Sequence, residues 1–229
     1  WEAARRPLAE ARRSGGLRCG GTWLAGVDLL PNAPDGSVAG VPLAGAAIDT
    51  VAVLGLAPAA WHAAQVSVTW PGYPRPGEDE SAGAARYRRQ RDAAHVDGLL
   101  PEGPARRRYL REPHAFVLGL PLTESHADAA PLVIWPGSHR LIGRALREAH
   151  DEARTAKPAV AAGDVDLTDA YVPARRAAFD TCPRVPLPLQ PGQAVLLHRH
   201  LMHGIAPWAA PPAREGRAVA YFRPELAEP

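Results

Sequence analysis

Five short runs of apolar and β-branched residues set the strongest limit on how this chain folds: VSVTW (66–70), AFVLGLPL (115–122), PLVIWP (131–136), AVLLH (194–198) and AVAYF (218–222). Each is bounded by proline or glycine, and runs of that length and composition read as strands. Helical patterns lie mainly at the ends or in one insertion, at about 2–13, at about 141–153 after the turn residues of PGSH, and at about 167–182. In the last of these Thr168 is expected to cap the helix with Asp169 in its first turn, and Pro173 to shorten or kink it. Strands in series with helices at the margins argue for a β-sandwich or jelly roll rather than an alternating βαβ sheet. No internal repeat or linker stands out, so one domain over 1–229 is expected, with an N-terminal extension to about residue 60 and a core over about 65–224.

With 229 residues the chain is long enough to bury a core without disulfides or structural metal. A balance of 26 basic against 24 acidic residues lacks the excess expected of a nucleic-acid binder. The densest basic run, Arg106 to Arg108 followed by Arg111, reads as a solvated face. Cys19 and Cys182 stand far apart and outside any CxxC, which suits a reducing cytosol. No apolar run approaches the ~18 residues needed to span a bilayer. The opening WEAARRPLAEARR is charged and helix-like rather than signal-like. A cytoplasmic protein without membrane or nucleic-acid partners is expected. GGTWLAG (20–26) lacks the strand-then-helix setting of a dinucleotide loop, and PGYPRPGEDESAG (71–83) reads as a long mobile loop, a candidate lid.

Chemistry concentrates in RDAAHVDGLL (91–100). On a strand, positions i and i+2 project to one face, so His95 and Asp97 can converge while Val96 packs behind them. A third ligand can come from QPGQAVLLHRHLMHGIAPW (190–208), which holds His198, His200 and His203. Two histidines and one carboxylate leave coordination positions open, which suits Fe(II) better than a closed zinc site. A second such pair, His126 and Asp128 in SHADAAP, reads as a surface loop. His62 and His150 read as ordinary surface or interface histidines; His114 opens a strand, with packing the favoured role and lining of a pocket the alternative.

The order of five segments carries more information than any one of them. AAHVDG, LGLPLTES, WPGSHR, PGQAVLLHRHLMHGIAPW and GRAVAYFRPE follow one another across roughly 65–224, and in this order the chain resembles the phytanoyl-CoA dioxygenase (PhyH)-like family of Fe(II)/2-oxoglutarate-dependent oxygenases. The resemblance implies a mainly β fold with flanking helices, a double-stranded β-helix (jelly roll, cupin-like). It implies His95 and Asp97 as proximal iron ligands and His203 as the distal one. His198 matches a less critical position, and His200 has no clear counterpart. Related halogenases carry a small residue where Asp97 stands, so oxygenation, a hydroxylation above all, is the implied outcome.

The carboxylate of 2-oxoglutarate calls for a buried, permanently charged fork, which is arginine chemistry. Arg214 lies 11 positions after His203, near the family's usual gap, and Arg217 opens the AVAYF strand where the family's arginine also stands. Arg217 is favoured, because the Pro-rich AAPPARE can lengthen the loop without moving the strand. Gln65, Ser67 and Thr69 share one face of a strand and either line the cosubstrate pocket or form an ordinary polar outer face. Gln193, Ala94 and Trp208 depart from the family pattern, and none is an implied ligand. The implied activity is a dioxygenase that consumes O2 and 2-oxoglutarate, acts on a small molecule, and releases succinate and CO2. The rival readings are a cupin-like metalloenzyme without 2-oxoglutarate, and a non-catalytic small-molecule-binding jelly roll. No residue selects the substrate or the oligomeric state.

Overall fold

Alternation along three neighbouring strands decides the layering. The chain, described by a computed structural model over residues 1–78, 80–213 and 215–226, runs in order through α1 (Glu2–Arg13), β1 (Leu17–Arg18), β2 (Trp23–Leu24), α2 (Ala46–Val53), β3 (Gln65–Thr69), α3 (Ala82–Arg91), β4 (Leu99–Glu102), β5 (Arg107–Leu110), β6 (Phe116–Pro121), β7 (Leu132–Ile134), α4 (Ser138–Ala156), α5 (Thr168–Thr181), β8 (Val185–Leu187), β9 (Val195–His198), β10 (His203–Ile205) and β11 (Arg217–Phe222). One face of β3, β6 and β11 presents Val66, Val68, Phe116, Leu118, Ala218, Ala220 and Phe222, which pack with Ala4 and Leu8 of α1 and Val51 of α2. The opposite face presents Val117, Val219 and Tyr221, which meet Leu132 of β7 and Leu197 of β9. Strand period two thus puts helices on one side of the sheet and a second sheet on the other.

The larger sheet has the order β1-β2-β3-β11-β6-β9 and the smaller β10-β7-β8, with antiparallel neighbours throughout. Behind the smaller sheet, Val133 and Trp135 pack against Ile142 and Leu146 of α4, Leu167 just before α5, and Tyr171 and Ala178 of α5. Each such fully buried large side chain contributes on the order of 1.5–3 kcal/mol. The result is the expected mainly β, jelly-roll-like arrangement with flanking helices, its two sheets remaining separate rather than closing into a barrel.

Several local expectations differ from the structure. The helix after PGSH begins at Ser138, not Leu141, because Gly137 takes a left-handed φ of 95° and turns the chain directly into it. Thr168 is the first helical residue of α5 rather than its cap, and Asp166 Oδ1 accepts hydrogen bonds from both the Thr168 amide (3.0 Å) and hydroxyl (2.6 Å). Pro173 lies inside α5, which runs on to Thr181 and forgoes only the hydrogen bond that its missing N–H would make.

The stretch 71–83 does not run freely into His95. Tyr73 is buried and its carbonyl accepts from the Trp208 amide (2.8 Å), while α3, capped by Ser81, occupies 82–91. The basic run lies at the surface as expected, with Arg106 and Arg111 exposed, and ion pairs hold it there. Arg107 pairs with Asp166 and Asp169, and Arg111 with Glu102 and Asp164, which ties the β4–β5 hairpin to the segment around α5. Among the described residues no helix is long and apolar enough to cross a membrane.

Candidate metal centre

A tight reversal after α3 places the first two candidate ligands. Asp92 and Ala93 both adopt left-handed backbone, with φ of 53° and 51°, and turn the chain out of the helix. Ala94 and Val96 then face the helical core, leaving His95 and Asp97 to face the cleft. The expected strand is not there: His95 forms a single bridge with His203 and Asp97 lies in the turn that follows. The bridge supplies the alignment instead, through His95 N–H to His203 O at 2.9 Å and His203 N–H to His95 O at 3.0 Å. Two glycines allow these close approaches. A Cβ on Gly204 would stand 2.2 Å from the Asp92 carbonyl oxygen, and one on Gly98, whose φ is 80°, 2.0 Å from that of Glu112.

One ligand atom from each of His95, Asp97 and His203 lies within 4.8 Å of the others. Asp97 Oδ1 is 3.0 Å from His95 Nε2, and Oδ2 is 3.6 Å from His203 Nε2. Each imidazole places Nδ1 2.9 Å from a backbone carbonyl, that of Ala93 or Leu201. A carbonyl only accepts, so both Nδ1 atoms carry the proton and both Nε2 atoms face the centre, as metal ligation requires.

Burial opposes charge on Asp97, yet His203, His95 and Arg223 hold its carboxyl well below the usual range. The surrounding protein opposes charge on His95 although its side chain is half exposed at the cleft, and the Asp97 carboxylate outweighs this and raises the imidazole. Two imidazole nitrogens and one carboxylate oxygen, with no thiolate, fit a divalent first-row ion such as Fe(II).

The polar face of β3 continues the site inward. Gln65, Ser67 and Thr69 stand opposite Tyr221, Val219 and Arg217 of β11, on the side that faces the smaller sheet. Gln65 Oε1 accepts from Arg223 Nη1 at 2.7 Å, and Ser67 Oγ from Trp23 Nε1 at 3.0 Å. Thr69 Oγ1 is buried without a hydrogen-bond partner. Arg217 is 5% exposed and forms no ion pair with a described residue. Arg214, the other candidate arginine, lies outside the described residues. The cleft above the histidines measures about 1600 Å³ and is bordered by His62, His114, Arg18 and Arg88 as well as by the cluster.

The remaining histidines stay apart from this group. His126 and Asp128 face each other at 3.8 Å on the surface. His198 stacks near His139, and His200 is buried against Gly143, where burial pushes its pKa down to about 3. His114 is buried, lines the cleft, and has no hydrogen bond at either ring nitrogen.

Arg223 is a site residue that the sequence reading does not place at the metal centre. Its Nε donates to Asp97 Oδ2 at 2.6 Å. Its place was readable as parity, because 217, 219, 221 and 223 share one face of a strand.

With this geometry established, comparison with known proteins is decisive for lineage. The family described as phytanoyl-CoA dioxygenase (PhyH) matches residues 73–208, more than half the chain. The chain belongs to the PhyH family. That match contains His95, Asp97 and His203 and stops short of Arg217 and Arg223.

Among solved structures, the chain is similar to the non-heme alpha ketoglutarate dependent carbocyclase SnoK from nogalamycin biosynthesis, at 17% identity over 71% of this chain and 52% of that one, with a TM-score of 0.34. It is also similar to AviO1 from Streptomyces viridochromogenes Tue57, at 15% identity over 100% of this chain and 84% of that one, TM-score 0.46. A third is an N-substituted L-amino acid dioxygenase in complex with alpha-KG from Burkholderia ambifaria AMMD, at 20% identity over 69% of this chain and 46% of that one, TM-score 0.30. The chain thus spans about half the length of the first and third of these structures. No curated protein matches it.

Proposed function

We propose that this PhyH-family chain is a non-haem Fe(II)- and 2-oxoglutarate-dependent dioxygenase that hydroxylates a small molecule. The observation that carries the reading is the convergence of His95, Asp97 and His203 to within 4.8 Å at a large cleft. These three residues would hold the iron. Arg217, buried on the face of the larger sheet that meets the smaller one, would receive the distal carboxylate of 2-oxoglutarate, with the orphaned Thr69 hydroxyl beside it. A guanidinium without a carboxylate partner is costly to bury, and a dicarboxylate ligand would relieve that cost.

Iron and cosubstrate together supply the oxidising chemistry, while the protein positions them and keeps water out. The cleft, not the small triad, sets the substrate's size. Residues of about 65–224 are proposed to act as one jelly-roll unit, in the cytoplasm, without nucleic-acid partners.

The test is an anaerobic titration of metal-free protein with Fe(II) and then 2-oxoglutarate, followed by the visible charge-transfer band of the chelate. The band should appear with the parent protein, vanish in His95→Ala and Asp97→Ala with iron binding, and vanish in Arg217→Ala with iron binding retained. Iron binding without any band would remove 2-oxoglutarate from the reading, and an Asp97→Ala variant turning over at the parental rate would remove the triad.

A further inference from the structure

Asp97 offers its two oxygens to different partners. Oδ1 faces His95 Nε2 at 3.0 Å, while Oδ2, farther from its histidine at 3.6 Å from His203 Nε2, accepts a hydrogen bond from Arg223 Nε at 2.6 Å. Arg223 is itself fixed from several sides. Its Nη1 donates to Gln65 Oε1 at 2.7 Å, its guanidinium lies 5.2 Å from the centre of the Tyr221 ring, and its backbone amide approaches His62 Nε2 at 3.4 Å. The side chain is only 18% exposed. A planar fork of this kind holds direction as well as charge, which a lysine would not.

We infer that Arg223 is a positioning residue for the metal centre: braced by Gln65 and Tyr221, it occupies one oxygen of Asp97 so that the carboxylate presents the other to the ion. This rests on the proposed triad. A carboxylate free to chelate through both oxygens would fill one of the positions that cosubstrate and O2 require. One held through Oδ2 keeps those positions open. Hydrogen-bond partners of metal ligands characteristically affect affinity by about 10- to 100-fold.

A rival account makes Arg223 a mere stand-in cation that neutralises buried Asp97 until metal arrives. The two accounts predict opposite signs. A stand-in competes with the ion, so its removal tightens metal binding. A positioning residue aids ligation, so its removal weakens binding.

The experiment titrates metal-free parent, Arg223→Ala, Arg223→Lys, Gln65→Leu and His95→Ala protein with Fe(II) alone. It then uses Co(II) alone as a spectroscopic reporter of coordination. Arg223→Ala should weaken Fe(II) binding by about 10- to 100-fold and alter the visible Co(II) bands. Arg223→Lys should recover part of the affinity through a single donor, and Gln65→Leu should give an intermediate loss. Unchanged or tighter Fe(II) binding in Arg223→Ala, alongside loss in His95→Ala, would overturn the Arg223 role and leave the triad standing. Should Arg223→Ala not fold, parental affinity and bands in both Arg223→Lys and Gln65→Leu would overturn it equally. Absence of Fe(II) binding by the parent would overturn both the triad and this inference.

Discussion

Arg184, just before β8, grips Asp92 at the end of α3 with two hydrogen bonds, Nε to Oδ2 at 2.7 Å and Nη2 to Oδ1 at 2.8 Å. Asp92 begins the left-handed turn that projects His95 and Asp97, so a bond to the smaller sheet sets where the candidate ligands begin. The Asp92 side chain is 4% exposed and that of Arg184 47%. Removing the arginine strands a buried carboxylate, whereas removing the carboxylate leaves an arginine that water can reach. Arg184→Ala should therefore cost about 2–3 kcal/mol, below the full range for a buried pair because one partner is half exposed. Asp92→Asn, which keeps the shape and tolerates left-handed backbone, should cost less. Denaturant unfolding of the two variants measures the difference; equal costs would contradict the assignment of the buried partner.

Gly204→Ala should damage the site more than any other single-methyl addition on β10. Its Cβ would lie 2.2 Å from the Asp92 carbonyl oxygen, which is backbone and cannot swing aside. Separating the strands by the required ångström breaks the paired amide bonds between His95 and His203. The expected result is a loss of at least about 2 kcal/mol of stability together with weakened Fe(II) binding. Parental melting and metal affinity in the Gly204→Ala variant would show that this approach is not needed.

Thr69→Val separates a structural hydroxyl from a ligand-binding one. Thr69 Oγ1 is buried without a partner, so replacing it by a methyl of similar shape should leave stability unchanged or raise it by up to about 1 kcal/mol. If the hydroxyl and Arg217 receive the 2-oxoglutarate carboxylate, the same variant should bind the cosubstrate about 10-fold more weakly, or ~1.4 kcal/mol. Titration of the iron-loaded protein with 2-oxoglutarate measures this, and unchanged affinity would place Thr69 outside the pocket.

Acid should destabilise the fold partly through His200. Burial keeps this imidazole neutral down to about pH 3, whereas in the unfolded chain it takes up a proton near its ordinary value of about 6.5. Between those limits the unfolded state binds more protons, so stability rises with pH and is lost as pH falls through that window, at up to about 1.4 kcal/mol per pH unit for one group. Burial depresses His62, His150 and His198 in the same direction. Urea midpoints at pH 7 and pH 5 should drop less in His200→Gln than in the parent; an identical drop would mean that His200 is protonated in the folded protein.

What the sequence determined by itself was whatever depends on local periodicity and order. The five apolar runs contain β6, β7 and β9 and most of β3 and β11, because alternating β-branched residues state both the conformation and the buried face. The ordered motifs named the three residues that converge, since residue type and segment order survive without coordinates.

Tertiary structure decided the rest. β10 is three residues long and β8 carries a proline, so neither has a local pattern long enough to read, and both exist through pairing with β7. α3, small residues followed by arginines, gives no amphipathic signal. His95 is aligned by a bridge to a residue 108 positions away (203 − 95) rather than by a strand of its own. Arg223 meets Asp97 across 126 positions of sequence, and Gln65 of the neighbouring β3 braces it there. Contacts of that range are chosen by packing and by the satisfaction of buried charge, and no local stretch of sequence records them.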